Sequence, residues 1–409
     1  MGSRVAGVPD LPDLSVSVCV VGAGPVGGTL ACRLAAAGVA TAVVDRAALP
    51  PMEHPDFDGR AYAIAAGSRA VLEAASVWSA LPLPAGPFRE IRVSDGRVGR
   101  RAAPLFLHFA AAELGEEAFG WMVEARSLRM ALNARLHGAP NLHVFAPAQA
   151  QVERSPEGVL VRIAGGPSIA CRLVVAAEGR DSPLREAAGI PVTRLPYDQT
   201  GIVCAVAHER PHRGVALEHF LPSGPFAQLP MAATEGAPDL SAIVWTERTA
   251  LADRLLALPE DRFAAEIGRR LGDHLGAVRL MGRRWRYRLG AMHAHRYSAT
   301  RLALVGDAAH GIHPIAGQGL NLGFRDVAAL AELVAGADDP GDPALLRRYQ
   351  ARRRPDNLLM LGATDALDRL FSNDRAPLRA ARGLGIAAVH RLPPLKRLFM
   401  RQAMGVLAG

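Results

Sequence analysis

Two glycine-rich stretches, each following an apolar run, carry the residues with the clearest chemical possibilities. The first is Gly22-Ala23-Gly24-Pro25-Val26-Gly27. Glycines at this spacing let the chain turn tightly and bring backbone N–H groups close to a pyrophosphate, whose charge is favoured at the N-terminus of a following helix. Asp45, followed by Arg46, ends the next apolar run, where a carboxylate accepts from ribose hydroxyls. These residues indicate a dinucleotide without saying which. The second stretch runs from Val305 through Gly306, Asp307 and His310 to Pro314-Ile315-Ala316-Gly317-Gln318-Gly319-Leu320-Asn321. It sets Asp307 after a strand, where it suits the hydroxyls of a ribityl chain. The N–H groups of Gly317 to Leu320 and the dipole of the helix they open suit the edge of an isoalloxazine, which is negative when the flavin is reduced. Together the two stretches fit FAD and not NAD.

Other chemistries find little support. Asp307, His310 and His313 lie close together, but a zinc site needs another fixed ligand in a defined geometry, and no second ligand cluster is apparent. No metal is expected, and the histidines are read as bonded to the loop backbone. Cys19, Cys32, Cys171 and Cys204 form no C-x-x-C pair and are read as reduced and structural. Lys396 is the only lysine, so covalent catalysis by lysine is excluded nearly everywhere.

The segment Gly306 to Asp326 resembles the second FAD motif of the aromatic-hydroxylase flavoproteins, and its His-Pro-Ile-Ala-Gly-Gln-Gly-Leu-Asn-Leu-Gly core is similar to the ubiquinone-biosynthesis hydroxylases in particular. Asp58-Gly59-Arg60-Ala61, Gly224 to Pro230, Ser241 to Trp245 and Leu398 to Gly405 agree, so the resemblance spans nearly the whole chain. It implies an α/β fold: a glutathione-reductase-like, Rossmann-type FAD domain interrupted by a mainly antiparallel substrate domain, with a C-terminal helical tail. It also implies hydroxylation of the aromatic ring of a polyprenylphenol through a flavin hydroperoxide, with dioxygen as co-substrate. By position, Gly22, Gly24, Gly27, Asp45 and Arg46 would hold the ADP half. Arg60 and Arg126 would lie near the phosphates or flavin, Asp307 would meet the ribitol, and Pro314 with Gly317 to Asn321 would line the isoalloxazine. Pro314, Gly317 and Gly319 form the flavin-edge loop where the chemistry would occur, with no side-chain nucleophile. Phe226, Leu229 and Pro230 are candidates for the pocket wall. One departure stands out: Glu178-Gly179-Arg180-Asp181-Ser182 carries Glu where the family's middle motif has Asp. The same scaffold also serves flavin-dependent reductases of prenylated substrates, and an FAD-stabilised, non-catalytic subunit of a biosynthetic complex is a further reading.

The elements that must position these residues are legible as apolar runs. Val16 to Val21, a helix from Pro25 to Ala37 and Ala40 to Val44 make a βαβ unit. Leu173 to Ala177 and Leu302 to Val305 are apolar on both faces, as central strands are. From about 191 to 297 shorter runs broken by Pro and Gly indicate antiparallel strands. A helix from about Leu320 to Ala335 follows the second motif. The expected division is 14–80, 104–190 and 297–340 for the FAD domain, 81–103 and 191–296 for the substrate domain, and 341–409 for a helical C-terminal region.

At 409 residues, half of them hydrophobic and 21% charged, the chain suits two packed domains. Its net charge of +8 comes from arginines scattered along the chain, with no compact basic stretch with interleaved aromatics before the C-terminal region, so nucleic acid is not expected. Only one dinucleotide fingerprint is present. Electrons are therefore expected from NAD(P)H docking transiently or from an electron-transfer protein. No apolar run approaches the ~20 residues of a spanning helix and no signal peptide is apparent, so a cytoplasmic protein is expected. The tail from Ala376 to Gly409, with Arg379, Arg382, Arg391, Lys396, Arg397 and Arg401, suits an anionic membrane surface at its inner face, a partner in a biosynthetic complex, or packing on the FAD domain.

Overall fold

In the computed structural model, which describes residues 12–50, 55–96, 98–99, 106–234, 236–372, 382, 389 and 391–405, the first apolar run forms strand Val18–Val21, buried along its whole length. It sits inside a six-stranded sheet. Leu302–Leu304, Leu173–Ala176, Val18–Val21, Thr41–Val44 and Leu142–Phe145 run parallel in that order, and Ser298–Ala299 adds an antiparallel edge. Helix Pro25–Ala36 returns the chain between the first two strands made, burying Gly27, Leu30, Ala31 and Leu34. Burial on both faces explains why these strands read as unbroken apolar runs.

The second large sheet has eight strands in the order His310–Gly311, Val278–Ala294, Val192–His208, Leu240–Arg248, Gly224–Pro230, Val215–Leu221, Glu90–Asp95 and Phe106–Ala110. All neighbours are antiparallel except Val215–Leu221 with Glu90–Asp95. Phe106–Ala110, grouped by the sequence with the FAD segments, closes one edge of this sheet. His310–Gly311 closes the other, so the second glycine-rich stretch is hydrogen-bonded directly to it.

Strand alternation gives this sheet two unlike faces. Ile202, Cys204, Val206, Phe226, Ile243 and Trp245 pack outward against Ala252, Leu255, Phe263 and Ile267 of helices Thr249–Leu256 and Glu260–Leu271. Ala205, Ala216, Phe220 and Ala242 face inward, in one cluster with Ile315, Phe371, Met400 and Met404. Smaller sheets flank the two large ones: Ala61–Ala65, Gly120–Glu124 and Gly86–Phe88 in one, Leu14–Ser15, Ser168–Cys171, Val159–Ile163 and Ala150–Arg154 in the other.

After helix Gln318–Val334, Asp342 caps the long helix Pro343–Phe371 by accepting from the N–H groups of Ala344 and Leu345. The last described helix, Pro393–Met404, buries Met400 and Met404 in the inner cluster. Arg325 reaches the carbonyl of Gln402, and Lys396 pairs with Glu113 at 2.7 Å. The tail thus packs against the body; its residues 376–381, 383–388, 390 and 406–409, Arg379 among them, lie outside the described residues. All four cysteines are buried and unbridged. Among the described residues no helix is long and apolar enough to cross a membrane.

Candidate functional site

The turn after Val18–Val21 is built for close approach. A Cβ on Gly27 would fall on the carbonyl oxygen of Gly22 and the side chain of Ala177, so only glycine lets the helix seat against the sheet. Gly24 takes the N-cap position without any side-chain cap, and open space lies beyond it. The first-turn donors of that helix are thereby offered to an anion. Asp45 stands beside the turn, its carboxylate accepting from the N–H of Ala23 at 2.6 Å and of Ala47 at 2.7 Å. Arg46 next to it is exposed.

Arg60 and Arg126 come together at the paired ends of Ala61–Ala65 and Gly120–Glu124, where the N–H of Ala125 donates to the carbonyl of Arg60. Each guanidinium is turned onto a carboxylate: Arg60 onto Asp58 at 2.6 Å and Arg126 onto Glu124 at 2.6 Å. Arg60 also lies 4.2 Å over the ring of Trp285, tying this corner to the eight-stranded sheet.

In the second stretch Asp307 stays half-exposed and takes Arg180 at 3.1 Å. The turn around it hangs on a residue that the sequence reading used only as the end of a motif. Asp326 is fully buried and accepts from the N–H of Gly306 at 3.0 Å, His310 at 2.6 Å, Arg353 at 2.8 Å and Asn357 at 3.1 Å. Burial alone would raise its carboxyl, but His310 and Arg353 outweigh burial and hold it down at about 2. His310 therefore bonds to Asp326, while buried His313 meets Gln199 at 3.1 Å. With Asp307 on Arg180, the three side chains have three separate destinations. Among the described residues no cluster could hold a metal ion.

Gly317 is in the left-handed region at φ +61° and caps helix Gln318–Val334, again with no side-chain cap and no acid in the first turn. Asn321 locks this loop to strand Ala61–Ala65: its amide donates to the carbonyls of Ala63 and Gly317 and accepts from the N–H of Ala65, each at 2.9 Å. Gln318 donates to the carbonyl of Ala403 at 3.2 Å, Gly319 borders open space, and Leu320 packs on the core of the six-stranded sheet. Ile315, between Pro314 and Gly317, enters the inner cluster, so the loop borders both regions.

Of the pocket candidates, only Leu229 reaches that cluster. Phe226 packs outward, with ring centroids 6.0 Å from Trp245, and Pro230 shares its side of the strand. Residues three apart in a strand cannot share a face, so Phe226 and Leu229 could not both line one chamber. Ala227 takes the inward position beside Leu229. The middle motif also takes definite shape. Glu178 accepts from the hydroxyl of Ser182 at 2.6 Å and the N–H of Leu184 at 3.2 Å, its carboxyl raised by burial. Arg185, buried behind it, donates to the carbonyl of Ala308 at 3.0 Å and braces the Asp307 turn.

Two uncapped helix N-termini, a carboxylate beside the first and another on the turn before the second form a donor and acceptor set that fits FAD. Residues 15–360 match the family described as FAD binding domain. The ubiquinone hydroxylase UbiL of Rhodospirillum rubrum is 52% identical over 400 residues, covering 97% of this chain and 91% of that protein. The 3-demethoxyubiquinol 3-hydroxylase of Escherichia coli is 34% identical over 398 residues, covering 95% and 98%. In fold, the p-nitrophenol 4-monooxygenase PnpA of Pseudomonas putida superposes with a TM-score of 0.76 at 18% identity, over 96% of this chain and 98% of that one. With the family matched over most of its length and a relative of this identity at near-complete coverage, the chain belongs to the FAD-dependent aromatic hydroxylases, flavoprotein monooxygenases that include the ubiquinone hydroxylases.

Proposed function

We propose that this enzyme hydroxylates the aromatic ring of a polyprenylphenol on the way to ubiquinone, with FAD, dioxygen and a reductant that is NAD(P)H or an electron-transfer protein. The observation that carries the reading is the position of Ile315. It joins the loop with the uncapped helix start to the apolar cluster on the inner face of the eight-stranded sheet, where Ala205, Ala216 and Ala242 stand beside Phe220 and Leu240. Gly22, Gly24, Gly27, Asp45 and Arg46 would hold the ADP half, Arg60 and Arg126 would stand at its phosphate side, and Asp307 would take the ribitol. Pro314, Gly317, Gln318, Gly319, Leu320 and Asn321 would line the isoalloxazine. When bound and reduced, the flavin supplies the activation of dioxygen. The chain's own work is to orient the ring and to exclude water with Leu229, Phe220, Met400 and Met404. Asn321 holds the loop in register while the uncapped N–H groups favour negative charge at its edge.

The decisive experiment reduces the FAD-loaded protein without oxygen, then mixes it with isotopically labelled dioxygen and a prenylphenol. A product bearing one labelled oxygen atom supports the reading; flavin reoxidation with unaltered phenol overturns it. Asp307→Ala should weaken FAD binding by about tenfold or more, read by fluorescence titration of the apoprotein.

We further assign the enzyme a cytoplasmic place at the inner face of the membrane. The outer side of Pro393–Met404 and the residue before it expose Leu392, Leu398 and Phe399 beside Arg397 and Arg401. Flotation with anionic vesicles should be lost in the double variant Leu398→Ser, Phe399→Ser; unchanged flotation would remove this surface.

A further inference from the structure

One ionisable residue stands in an otherwise apolar row on the inner face of the eight-stranded sheet. On strand Val215–Leu221, Ala216 and Phe220 face the inner cluster and Leu217 and Leu221 the outer one. Alternation therefore turns Glu218 inward. Its cross-strand neighbours are Ala227 on one side and Val93 on the other, and beyond them in the same row stand Val244 and Leu107. Ala216 and Phe220, two residues to either side of it, share the inner cluster with Ile315 of the second glycine-rich stretch. Glu218 is only partly buried, and it has no hydrogen bond or ion pair among the described residues. Three charged pairs on this side are already made, Asp95 with Arg382, Lys396 with Glu113 and Asp58 with Arg60, and Arg279 donates to the carbonyl of Gly236. Burial among apolar groups pushes its carboxyl up to about 7. A carboxyl kept without a partner in such a setting is costly to the fold unless something else uses it.

We propose that Glu218 is the polar anchor of the substrate ring, accepting the hydrogen bond of the ring hydroxyl and thereby fixing which ring carbon faces the Pro314–Asn321 loop. The inference rests on the phenolic substrate proposed above and adds the group that recognises the phenol. The chemistry is plain: an apolar chamber retains a prenylated ring by burial but cannot orient it, whereas one acceptor at a fixed point does. A site built to pair a hydroxyl also rejects the analogue that lacks it, because the acceptor is then left buried and unpaired.

The test is binding, measured on the FAD-loaded protein by the change in flavin absorbance on titration with a prenylphenol and with its methyl ether. The parent protein should bind the phenol about tenfold more tightly than the ether. That preference should grow as pH rises through the range where Glu218 ionises, since a carboxylate is the stronger acceptor. Glu218→Leu should bind both ligands alike. Glu218→Gln, which keeps an acceptor of the same reach, should retain a preference that no longer changes with pH. FAD content and unfolding temperature check that each variant is folded. A Glu218→Leu protein that keeps the parent's preference overturns the anchor, as does a parent that never distinguished phenol from ether; should Glu218→Leu not fold, a preference in Glu218→Gln that still follows pH does the same. A parent that holds FAD yet answers to neither ligand overturns instead the phenolic substrate itself.

Discussion

The two faces of the eight-stranded sheet are made from the same strands and do opposite things. Outward, Trp245 is filled in by Phe226, Phe263 and the guanidinium of Arg270, which lies 3.9 Å over its ring. Inward, Ala205, Ala216 and Ala242 are small beside Phe109, Phe220 and Leu240, and Ile315, Phe371, Met400 and Met404 join them from other parts of the chain. The difference shows how one strand can give its two sets of alternate positions to two separately packed layers.

The sharpest way to break this comparison is Trp245→Ala. Its side chain is fully buried, and its loss should cost about 3–5 kcal/mol in denaturant unfolding while the phenol-to-ether preference of the protein that remains folded is unchanged. Next in size is Glu218→Gln. A carboxyl whose folded value of about 7 lies above its unfolded 4.5 favours folding below the lower value and loses that contribution as pH rises through the upper one. The variant should match the parent near pH ~4.5 and exceed it by on the order of 2 kcal/mol near pH ~8. Smallest is Ala227→Phe, which fills inner space: phenol binding should weaken about tenfold, with unfolding altered by less than about 1 kcal/mol. If Ala227→Phe unfolds the protein as Trp245→Ala does, the inner face is ordinary core.

The glycine turn at Gly22, the carboxylates Asp45 and Asp307 and the loop at Gly317 were legible because local spacing alone declares them. The apolar runs announced the parallel strands for the same reason. What escaped needed partners far along the chain. Asp326 reads as one more helix residue until Pro343–Phe371 returns to bring Arg353 and Asn357 to it. Phe226 was misplaced, and Glu218 overlooked, because a strand's parity becomes meaningful only once its faces are assigned. The tail allowed several placements, and the burial of Met400 and Met404 shows that part of it packs into the inner cluster.

The buried carboxylate of Asp326 has a consequence in time as well as in space. It ties the turn at Gly306 to Arg353 and Asn357, and the strand just before that turn, Leu302–Leu304, pairs with Leu173–Ala176, which in turn pairs with Val18–Val21. The early-made strands thus have their outer edge covered, and the turn beyond it held, only by parts made much later. During synthesis the outer edge of Leu173–Ala176 stays open until Leu302–Leu304 has been made, and contacts this distant in sequence form slowly. Nascent chains arrested before and after Asn357 should therefore differ in resistance to protease at the turn around Gly306.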